Sequence, residues 1–312
     1  MPTSWIFTKF VPIQKPPKIP KTSKTTEKIM KRTKSHLARI LSVNLGIAAL
    51  AIATASRADA VLIDFNTSGQ LTTGFTQRNQ LDGADTIFQE SPTGGISNSG
   101  DVTHIVGGTN DGTAIYDDQA FDLTTNAQFT VSMFFKPLSA SGAPALQVGF
   151  TDAATHGFAA NTNDAFLSVR IVGNGSTNWN FQTQTKNAGT TTATAVTLAG
   201  GSNIALSTSN FYKLSGAFTR TATANTFNYT FTLENYGTTG AGVPSTVFTL
   251  NGSLSNSTLY SDTAVNGAFR SGEGAANNFD NFAVVPEPRT IAMRVGGFGC
   301  LFAFQRRRRR LG

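Results

Sequence analysis

Acidic and histidine side chains are the groups that could do chemistry in the central part of this chain, and their spacing argues against catalysis. Residues 61–285 contain two histidines, His104 and His156, which are far apart and lack a metal-ligand spacing. Glycoside hydrolysis needs two carboxylates that flank the scissile bond. Glu234 lies in an alternating run, but no acid stands two or four positions away from it. The region has no cysteine nucleophile either, so we predict that the protein is not an enzyme.

Aspartates make Ca²⁺ the ion that the central region is best suited to bind. The region has twelve of them, many beside glycine or asparagine. Ca²⁺ takes roughly six to eight oxygens from carboxylates, amides and backbone carbonyls. None of the aspartates has the spacing of an EF-hand loop. The sequence requires no cofactor; a structural calcium ion is the candidate, and the alternative is that these aspartates only close turns and end strands.

One aromatic side chain is a candidate platform for a sugar ring. Trp179 is the only tryptophan of the central region, and it lies between Asn178 and Asn180. An amphipathic ring beside amide groups suits both the apolar face and the hydroxyls of a carbohydrate. Trp179 is therefore a candidate glycan contact, and its alternative role is that of a core side chain.

The elements that position these side chains are predicted to be β-strands. Residues 61–285 have thirty-six threonines and nineteen phenylalanines but only three lysines and three glutamates, which favours strands over surface helices. Apolar and polar residues alternate over Phe129–Phe135 and Phe227–Glu234. Shorter runs of this kind are Ala145–Thr151, Ala165–Val172, Trp179–Thr185, Phe211–Thr219 and Phe279–Val285.

Turn-forming pairs separate these runs. They are Asp82-Gly83, Asp111-Gly112, Asn174-Gly175, Asn187–Gly189 and Asn251-Gly252. Many short strands with one apolar and one polar face pack as two sheets. We predict an all-β fold, an antiparallel two-sheet β-sandwich that occupies residues 61–285 as one domain.

The segment before this domain is predicted to direct export. Leu41–Ala55 is an apolar run of signal-peptide length, preceded by basic residues and followed by the small residues Ala58 and Ala60. The pattern predicts a signal peptide over residues 30–60 that is cleaved after Ala60. The alternative is a buried helix or a membrane anchor.

Charge is segregated along the chain. Residues 1–60 carry eleven Lys/Arg against two acids and residues 286–312 seven against one, whereas residues 61–285 carry seven against fifteen. An acidic body excludes a nucleic-acid-binding domain, because binding phosphates needs clustered Lys/Arg. Residues 1–29 lack a core-forming pattern and are predicted to be a disordered basic extension. Met30 is the better candidate for the translation start.

The chain ends in a proline motif, an apolar stretch and an arginine cluster. Pro286, Glu287 and Pro288 make a stiff extended segment that a helix cannot run through. Ile291–Phe304 is apolar apart from Arg294, and the arginines behind it would stay on the cytoplasmic side of a membrane. The cluster consists of Arg306, Arg307, Arg308, Arg309 and Arg310.

This order of features, together with a signal peptide, resembles the PEP-CTERM sorting signal of Gram-negative bacteria over residues 286–312. The resemblance implies a short transmembrane segment, transient anchoring in the inner membrane and cleavage near the Pro-Glu-Pro by an exosortase, a membrane cysteine transpeptidase. Signal peptidase and an exosortase-like enzyme are then the expected processing partners. The expected location is the outer surface or the extracellular matrix. The alternative is a basic tail that binds nucleic acid or anionic lipid.

Several segments of the central region resemble the LamG-like, concanavalin-type jelly rolls often found ahead of PEP-CTERM tails. They are AQFTVSMFFKPL, ALQVGFT, FYKLSGAFTR, FNYTFTLENYGTTG and NNFDNFAVV. The resemblance implies a jelly roll in which structural calcium lies where the first and last strands meet. Asp64 and Asp280 are the candidate ligands there, and the alternative is that both are turn or edge-strand acids.

The expected function is that of an exported, non-enzymatic component of the cell surface, sorted by an exosortase-type system and associated with extracellular polysaccharide. The alternative is a carbohydrate-binding, lectin-like module that depends on calcium. Sandwich folds host both kinds of protein, so the fold alone does not separate them. A third hypothesis, an unusual hydrolase, would need Glu234.

Overall fold

The computed structural model describes residues 60–79, 83–84, 87–105, 111–125, 128–140, 142–152, 157–158, 164–175, 177–272 and 274–287. These residues form seventeen strands, two short α-helices and one 3₁₀ turn. The strands are β1 Val61–Ile63, β2 Phe75–Asn79, β3 Gly83–Ala84, β4 Phe88–Ser91, β5 Asp101–His104, β6 Gly112–Tyr116, β7 Gln128–Pro137, β8 Pro144–Thr151, β9 Phe166–Gly173, β10 Asn178–Lys186, β11 Thr194–Thr197, β12 Ile204–Ala205, β13 Tyr212–Arg220, β14 Thr226–Asn235, β15 Ser245–Ser255, β16 Asn266–Ser271 and β17 Ala276–Glu287. The helices are α1 Gln70–Gly74 and α2 Ser257–Tyr260, and the 3₁₀ turn is Ile96–Asn98.

The strands belong to two antiparallel sheets. The first sheet has the order β15-β14-β13-β7-β17-β5-β4, with β1 paired to β17. The second sheet has the order β11-β10-β9-β8-β16-β6-β2-β3, with β12 paired to β10. Strands that are distant in the sequence, such as β7 and β17, are neighbours within one sheet. Consecutive strands often belong to different sheets, as β6, β7 and β8 do, so the chain passes repeatedly between the sheets. The predicted all-β, two-sheet antiparallel fold is therefore confirmed.

Alternation along the strands explains why two faces can pack together. In β14, Phe227, Tyr229, Phe231 and Leu233 are buried while the residues between them point outward. A period of two places alternate side chains on opposite faces, so one face of the strand joins the core. Each of the seven runs that the sequence predicted to be strands lies almost wholly within a strand of this structure.

Phenylalanine rings fill the space between the sheets. Phe269 of β16 lies centrally, with ring centroids 5.0–6.2 Å from those of Phe75, Phe88, Phe279 and Phe282. Tilted and edge-to-face pairs at this separation add to the stabilisation that burial of the rings gives. The rings come from both sheets, so the core fixes the two sheets against each other.

One predicted turn is wrong. Asn251-Gly252 lies inside β15, where Asn251 pairs with Thr230 and Gly252 pairs with Tyr229 of β14. A Cβ at Gly252 would collide with Tyr229 Oη. The glycine is thus needed for the close approach of a tyrosine from the next strand, and this requirement cannot be distinguished from a turn signal in the sequence.

Several predicted segments lie outside the described residues. They are residues 1–29, most of the signal segment including Ala58, Pro288, and the C-terminal segment from residue 289 onwards with Arg306, Arg307, Arg308, Arg309 and Arg310. Ala60 is described, and it is an exposed residue immediately before β1. Within the described part of the chain, no helix is both long and apolar enough to cross a membrane.

Candidate functional site

A shallow groove lies on the outer face of the first sheet. Its volume is about 580 Å³, and its lining comes from four adjacent strands, β7, β13, β14 and β15. The lining residues are Gln128, Ala217, Thr219, Asn228, Tyr229, Thr230, Asn251, Gly252 and Ser253. We call this feature the amide groove, because Gln128, Asn228 and Asn251 supply most of its hydrogen-bonding groups.

Strand register brings the groove together. One row across the sheet is formed by Gln128, Thr219, Asn228 and Ser253, whose Cα atoms pair from strand to strand. The adjacent row contains Ala217, whose small side chain leaves a depression between larger polar neighbours. The groove thus depends on residues up to 125 positions apart, which only the sheet pairing brings together.

The polar groups of the groove offer both donors and acceptors. Thr230 Oγ1 donates to Asn251 Oδ1 at 2.7 Å, and Thr219 Oγ1 donates to Gln128 Oε1 at 3.3 Å. These contacts use the oxygens of two amides, whose NH₂ groups can donate to a ligand. The side chains of Asn228 and Ser253 are exposed to solvent. An uncharged surface of hydroxyls and amides therefore faces outward.

The last strand borders the amide groove. β17 runs past the predicted domain end at residue 285, and Pro286 and Glu287 pair with Phe129 and Gln128 of β7. Thr130 Oγ1 donates to Glu287 Oε1 at 3.3 Å. The first two residues of the predicted sorting motif are therefore extended, as the proline spacing predicts, and they belong to the sheet.

Trp179 does not line this groove or any exposed face. Its side chain is 2 % exposed and lies in the core with the inward-facing residues of the second sheet. Its neighbours Asn178 and Asn180 are half-buried, because β10 alternates outward and inward positions. This burial corrects the prediction that Trp179 forms a platform for a sugar. Asn178 and Asn180 lie on the opposite face of the strand, so they are not beside the indole ring.

Glu234 also lies on the outer face of the first sheet, and Asp280 of β17 lies in the same row three strands away, roughly 14 Å. Tyr236 Oη lies 3.3 Å from Glu234 Oε2, and the Glu234 backbone pairs with Lys213 of β13. The other glutamate on this face is Glu287, which lies six residues further along β7 and three strands away. A rise of about 3.4 Å per residue separates the two by roughly 20 Å along the strand direction alone. The two glutamates cannot flank one glycosidic bond, which needs carboxylates at most about 9.5 Å apart.

A second cluster of interest is formed by two buried carboxylates beside the last strand, which we call the carboxylate junction. Asp101 begins β5 and is 0 % exposed, and Asp280 lies in β17 between two register shifts and is 1 % exposed. Asp280 Oδ2 accepts from Ile96 N at 2.9 Å and from Ser99 Oγ at 3.0 Å. Asp280 therefore fixes the 3₁₀ turn to the last strand.

The carboxylate of Asp101 accepts fewer hydrogen bonds than that of Asp280. Its Oδ2 accepts from Asn278 Nδ2 at 2.8 Å, while its Oδ1 is buried and has no hydrogen-bond partner among the described residues. A buried carboxylate oxygen without a partner is costly and points to a missing cation, proton or water.

Backbone strain concentrates at the same place. Seven non-glycine residues of the described chain have positive φ, and five of them flank the carboxylate junction. Those five are Phe65, Ser97, Asn98, Asn278 and Asn281, with φ between 51° and 63°. Left-handed backbone is unfavourable for residues with a Cβ, and it persists where surrounding contacts enforce it. Tight local packing is thus maintained around the two buried carboxylates.

Burial controls the charge state of the junction. Desolvation raises the pKa of Asp101 to about 6, the side chains of Asn278 and Ser91 oppose this shift, and the charge of Asp280 adds to it. Desolvation also raises the pKa of Asp280, with a smaller contribution from the charge of Asp64. Hydrogen bonds from Asn66 lower the pKa of Asp64. Two buried acids of raised pKa thus lie beside a third that is readily ionised.

The predicted calcium ligands are both near this junction. Asp64 follows β1, which pairs with β17, and its oxygens accept from the Asn66 side chain at 2.9 Å and from Gln70 at 3.3 Å. Among the described residues, no group of three or more His, Cys, Asp or Glu side chains is arranged to hold a metal. The sequence did not identify Asp101, whose free oxygen depends on pairing between strands 177 residues apart.

Comparison with known proteins adds to the description of the fold. The sequence matches no family model and no curated protein. Among solved structures, lectin II from Ulex europaeus is similar with a TM-score of 0.45 and 11 % identity, covering 75 % of this chain and 100 % of its own. Peanut lectin is similar with a TM-score of 0.42 and 11 % identity, covering 74 % of this chain and 100 % of its own. The globular domain of T. cruzi calreticulin is similar with a TM-score of 0.43 and 8 % identity, covering 75 % of this chain and 90 % of its own. At these values the similarity concerns the all-β architecture and not the ligand.

Proposed function

We propose that the protein is an exported, non-catalytic β-sandwich that binds extracellular polysaccharide. The observation that carries this proposal is the amide groove, an uncharged concave surface of amides and hydroxyls on the outer face of a rigid sheet. Sugar hydroxyls donate and accept at once, and side-chain amides and hydroxyls match both roles. Binding sites on regular strands are also held more firmly than sites on loops.

The arrangement of acids supports a binding role over hydrolysis. Glu234 and Glu287 are the glutamates of this outer face, and their separation of more than about 20 Å leaves no carboxylate pair across the groove. A surface without a general acid opposite a base can hold a glycan without cleaving it.

The groove amides are the residues that test the proposal. The double substitution Asn228→Ala/Asn251→Ala removes two neutral hydrogen-bonding side chains, each worth about 0.5–1.5 kcal/mol. We expect the dissociation constant for the host's own extracellular polysaccharide to rise about tenfold, measured by retention of the full chain on the immobilised polymer.

The control is Thr232→Ala/Thr249→Ala, a polar pair on the same two strands that does not line the groove. Its affinity should stay within about twofold of the unsubstituted chain. Equal losses for both double variants, or no retention of any polysaccharide by the unsubstituted chain, would reject the proposed function.

We also propose that the chain reaches the outer surface through its signal peptide and PEP-CTERM-like tail, processed by signal peptidase and an exosortase-like transpeptidase. The pairing of Pro286 and Glu287 with β7 predicts where the tail is cut. A protease needs a substrate segment that is free of the sheet, so no cleavage is expected before Glu287. Mass spectrometry of the mature protein should find Glu287 retained, and a mature C-terminus at or before Val285 would contradict this.

A structural Ca²⁺ at the carboxylate junction is the third part of the proposal. Asp101 and Asp280 would supply two of its oxygens and amide and backbone groups the others, since no three acids of the described residues are arranged around one point. The predicted ligand Asp64 would lie close to this site and not within it. The unpartnered Asp101 Oδ1 supports this assignment, because oxygen ligands are those that Ca²⁺ prefers.

A further inference from the structure

The outer face of the second sheet carries a row of long polar side chains. Gln182 of β10 pairs with Arg170 of β9, Arg170 pairs with Gln147 of β8, and Gln147 pairs with Arg270 of β16. Directly opposed residues of antiparallel strands have Cβ atoms about 4.5–5.5 Å apart and share one face. These four residues, which we call the arginine row, therefore lie side by side although the sequence separates them by up to 123 positions.

The arginine row concentrates positive charge on an acidic domain. Residues 61–285 have only seven Lys/Arg against fifteen acids, yet two of the arginines flank a single glutamine here. Among the described residues, one carboxylate contacts the row: Asp111, which forms an ion pair with Arg270. Arg270 Nη1 also donates to the Phe158 carbonyl oxygen at 2.7 Å.

Arg170 has no carboxylate partner among the residues that the structure describes. Its Nε and Nη2 both donate to Gln182 Oε1, at 2.9 and 2.6 Å, which leaves other N–H groups of the guanidinium for a ligand. Burial lowers the pKa of Arg170 to about 10, and the charge of Arg270 adds to this shift. The guanidinium remains charged at neutral pH, so the row keeps an excess of positive charge.

Gln147 contributes an acceptor between the two arginines. Its side chain is fully buried, and Nε2 donates to Ser168 Oγ at 2.8 Å and to Gln184 Oε1 at 3.0 Å. Its Oε1 has no hydrogen-bond partner among the described residues. A buried acceptor without a protein donor is uncommon in folded proteins, and an ordered water is the usual donor to such a group.

We infer that the arginine row binds an acidic sugar residue of a polysaccharide, with the sugar carboxylate on the half-exposed guanidinium of Arg170. The inference rests on the proposed function in so far as the ligand is a polysaccharide, but it places a second contact on the opposite sheet. A carboxylate matches the planar donors of a guanidinium.

The test compares polygalacturonate with its carboxyl-reduced, neutral form, using the full chain and isothermal titration calorimetry. We expect the acidic polymer to bind at least about tenfold more tightly than the neutral one, and this difference to shrink at high salt. The substitution Arg170→Gln should weaken binding of polygalacturonate about tenfold or more, because it removes a charge-assisted contact. Lys213→Gln, on the outer face of the first sheet, is the matched control and should change affinity less than about twofold.

A second variant distinguishes charge from folding effects. Gln147→Glu places a carboxylate between Arg170 and Arg270, where it neutralises the positive charge that the ligand needs. We expect it to abolish binding of polygalacturonate while circular dichroism and binding of the neutral polymer stay unchanged, a combination that a merely misfolded variant cannot show. A Gln147→Glu variant that binds the acidic polymer as tightly as the unsubstituted chain would overturn the inference.

The outcomes separate this site from the amide groove. Equal affinity for the acidic and neutral polymers, or equal effects of Arg170→Gln and Lys213→Gln, would overturn the arginine-row inference and leave the proposed function standing. Sulfate that competes as well as galacturonate would show a simple anion site and overturn the assignment to a sugar. Failure to bind any polysaccharide would remove the proposed function and this inference with it.

Discussion

Replacing Trp179 with alanine is expected to lower the free energy of unfolding by about 3–5 kcal/mol, which is the usual cost of truncating a large buried aromatic side chain. The side chain is 2 % exposed and is surrounded by the core of the sandwich. For a domain of this size the melting temperature should fall by on the order of 10 °C. The fraction that remains folded should bind polysaccharide with unchanged affinity, because the indole has no exposed face.

Thermal unfolding and polymer retention measured on the same samples check this expectation. Trp179→Phe is the control: it keeps most of the volume and removes an indole N–H that has no partner among the described residues. Its destabilisation should stay below about 1.5 kcal/mol. A Trp179→Ala variant that melts normally but loses retention of one glycan would restore the platform hypothesis and contradict the buried position.

The two interpretations of Trp179, as a sugar platform and as a core side chain, show what the alternation of apolar and polar residues can predict and what it cannot. A tryptophan between two asparagines suits a sugar platform, and it equally suits an inward position on a strand whose outward positions are polar. Period-two alternation through Phe181 and Thr183 favours the second interpretation, because it places the same face of β10 in the core. Which face of a strand is buried depends on the sheet that covers it, and the sequence of one strand does not contain that information.

Long-range pairing explains why strands could be predicted and both proposed binding surfaces could not. Phe227–Glu234 alternates locally, so its strand follows from eight residues. The amide groove instead needs Gln128 beside Thr219, and the arginine row needs Gln147 between Arg170 and Arg270. Register between distant strands sets these juxtapositions, and a shift of one residue would send each side chain to the other face.

The carboxylate junction was predictable in part. The jelly-roll resemblance pointed to the meeting of the first and last strands, and β1 does pair with β17 beside Asp280. Asp101 was missed, because in the sequence it is one of twelve aspartates with no distinguishing neighbour. Its special property, a buried oxygen without a donor, arises only after Asn278 has used the other oxygen.

Metal-free protein, prepared with EDTA, is expected to become less stable as the pH rises from about 4 to about 6. The pKa of Asp101 is raised to about 6 from 3.8, so the folded state holds a proton that the unfolded state has already released. Stability is then greatest below the unfolded pKa and is lost as the pH passes through the folded pKa. A shift of this size corresponds to about 3 kcal/mol at neutral pH. The raised pKa of Asp280 acts in the same direction.

The substitution Asp101→Asn isolates this effect. It keeps the shape of the side chain and removes the charge, so the metal-free variant should be more stable than the unsubstituted protein at pH 7 by up to about 3 kcal/mol and similar to it near pH 4. Asp118→Asn, at an exposed position, is the matched control and should leave the pH profile unchanged. Denaturant unfolding at several pH values measures both. A metal-free profile that rises toward pH 7 would show that Asp101 is not a buried acid of raised pKa.

Calcium should remove most of the stability difference between the two proteins. If the ion binds at the carboxylate junction, 1 mM Ca²⁺ stabilises the unsubstituted chain at pH 7 through linkage, by about 2.7 kcal/mol when the concentration is a hundred times the dissociation constant. Asp101→Asn should lose that gain, since an amide is a weaker ligand and leaves the site one charge short. The same addition at pH 4 should have little effect, because protons then occupy the carboxylates. An unchanged stability with Ca²⁺ at pH 7 would reject the calcium site and leave protonation as the way in which the protein tolerates two buried acids.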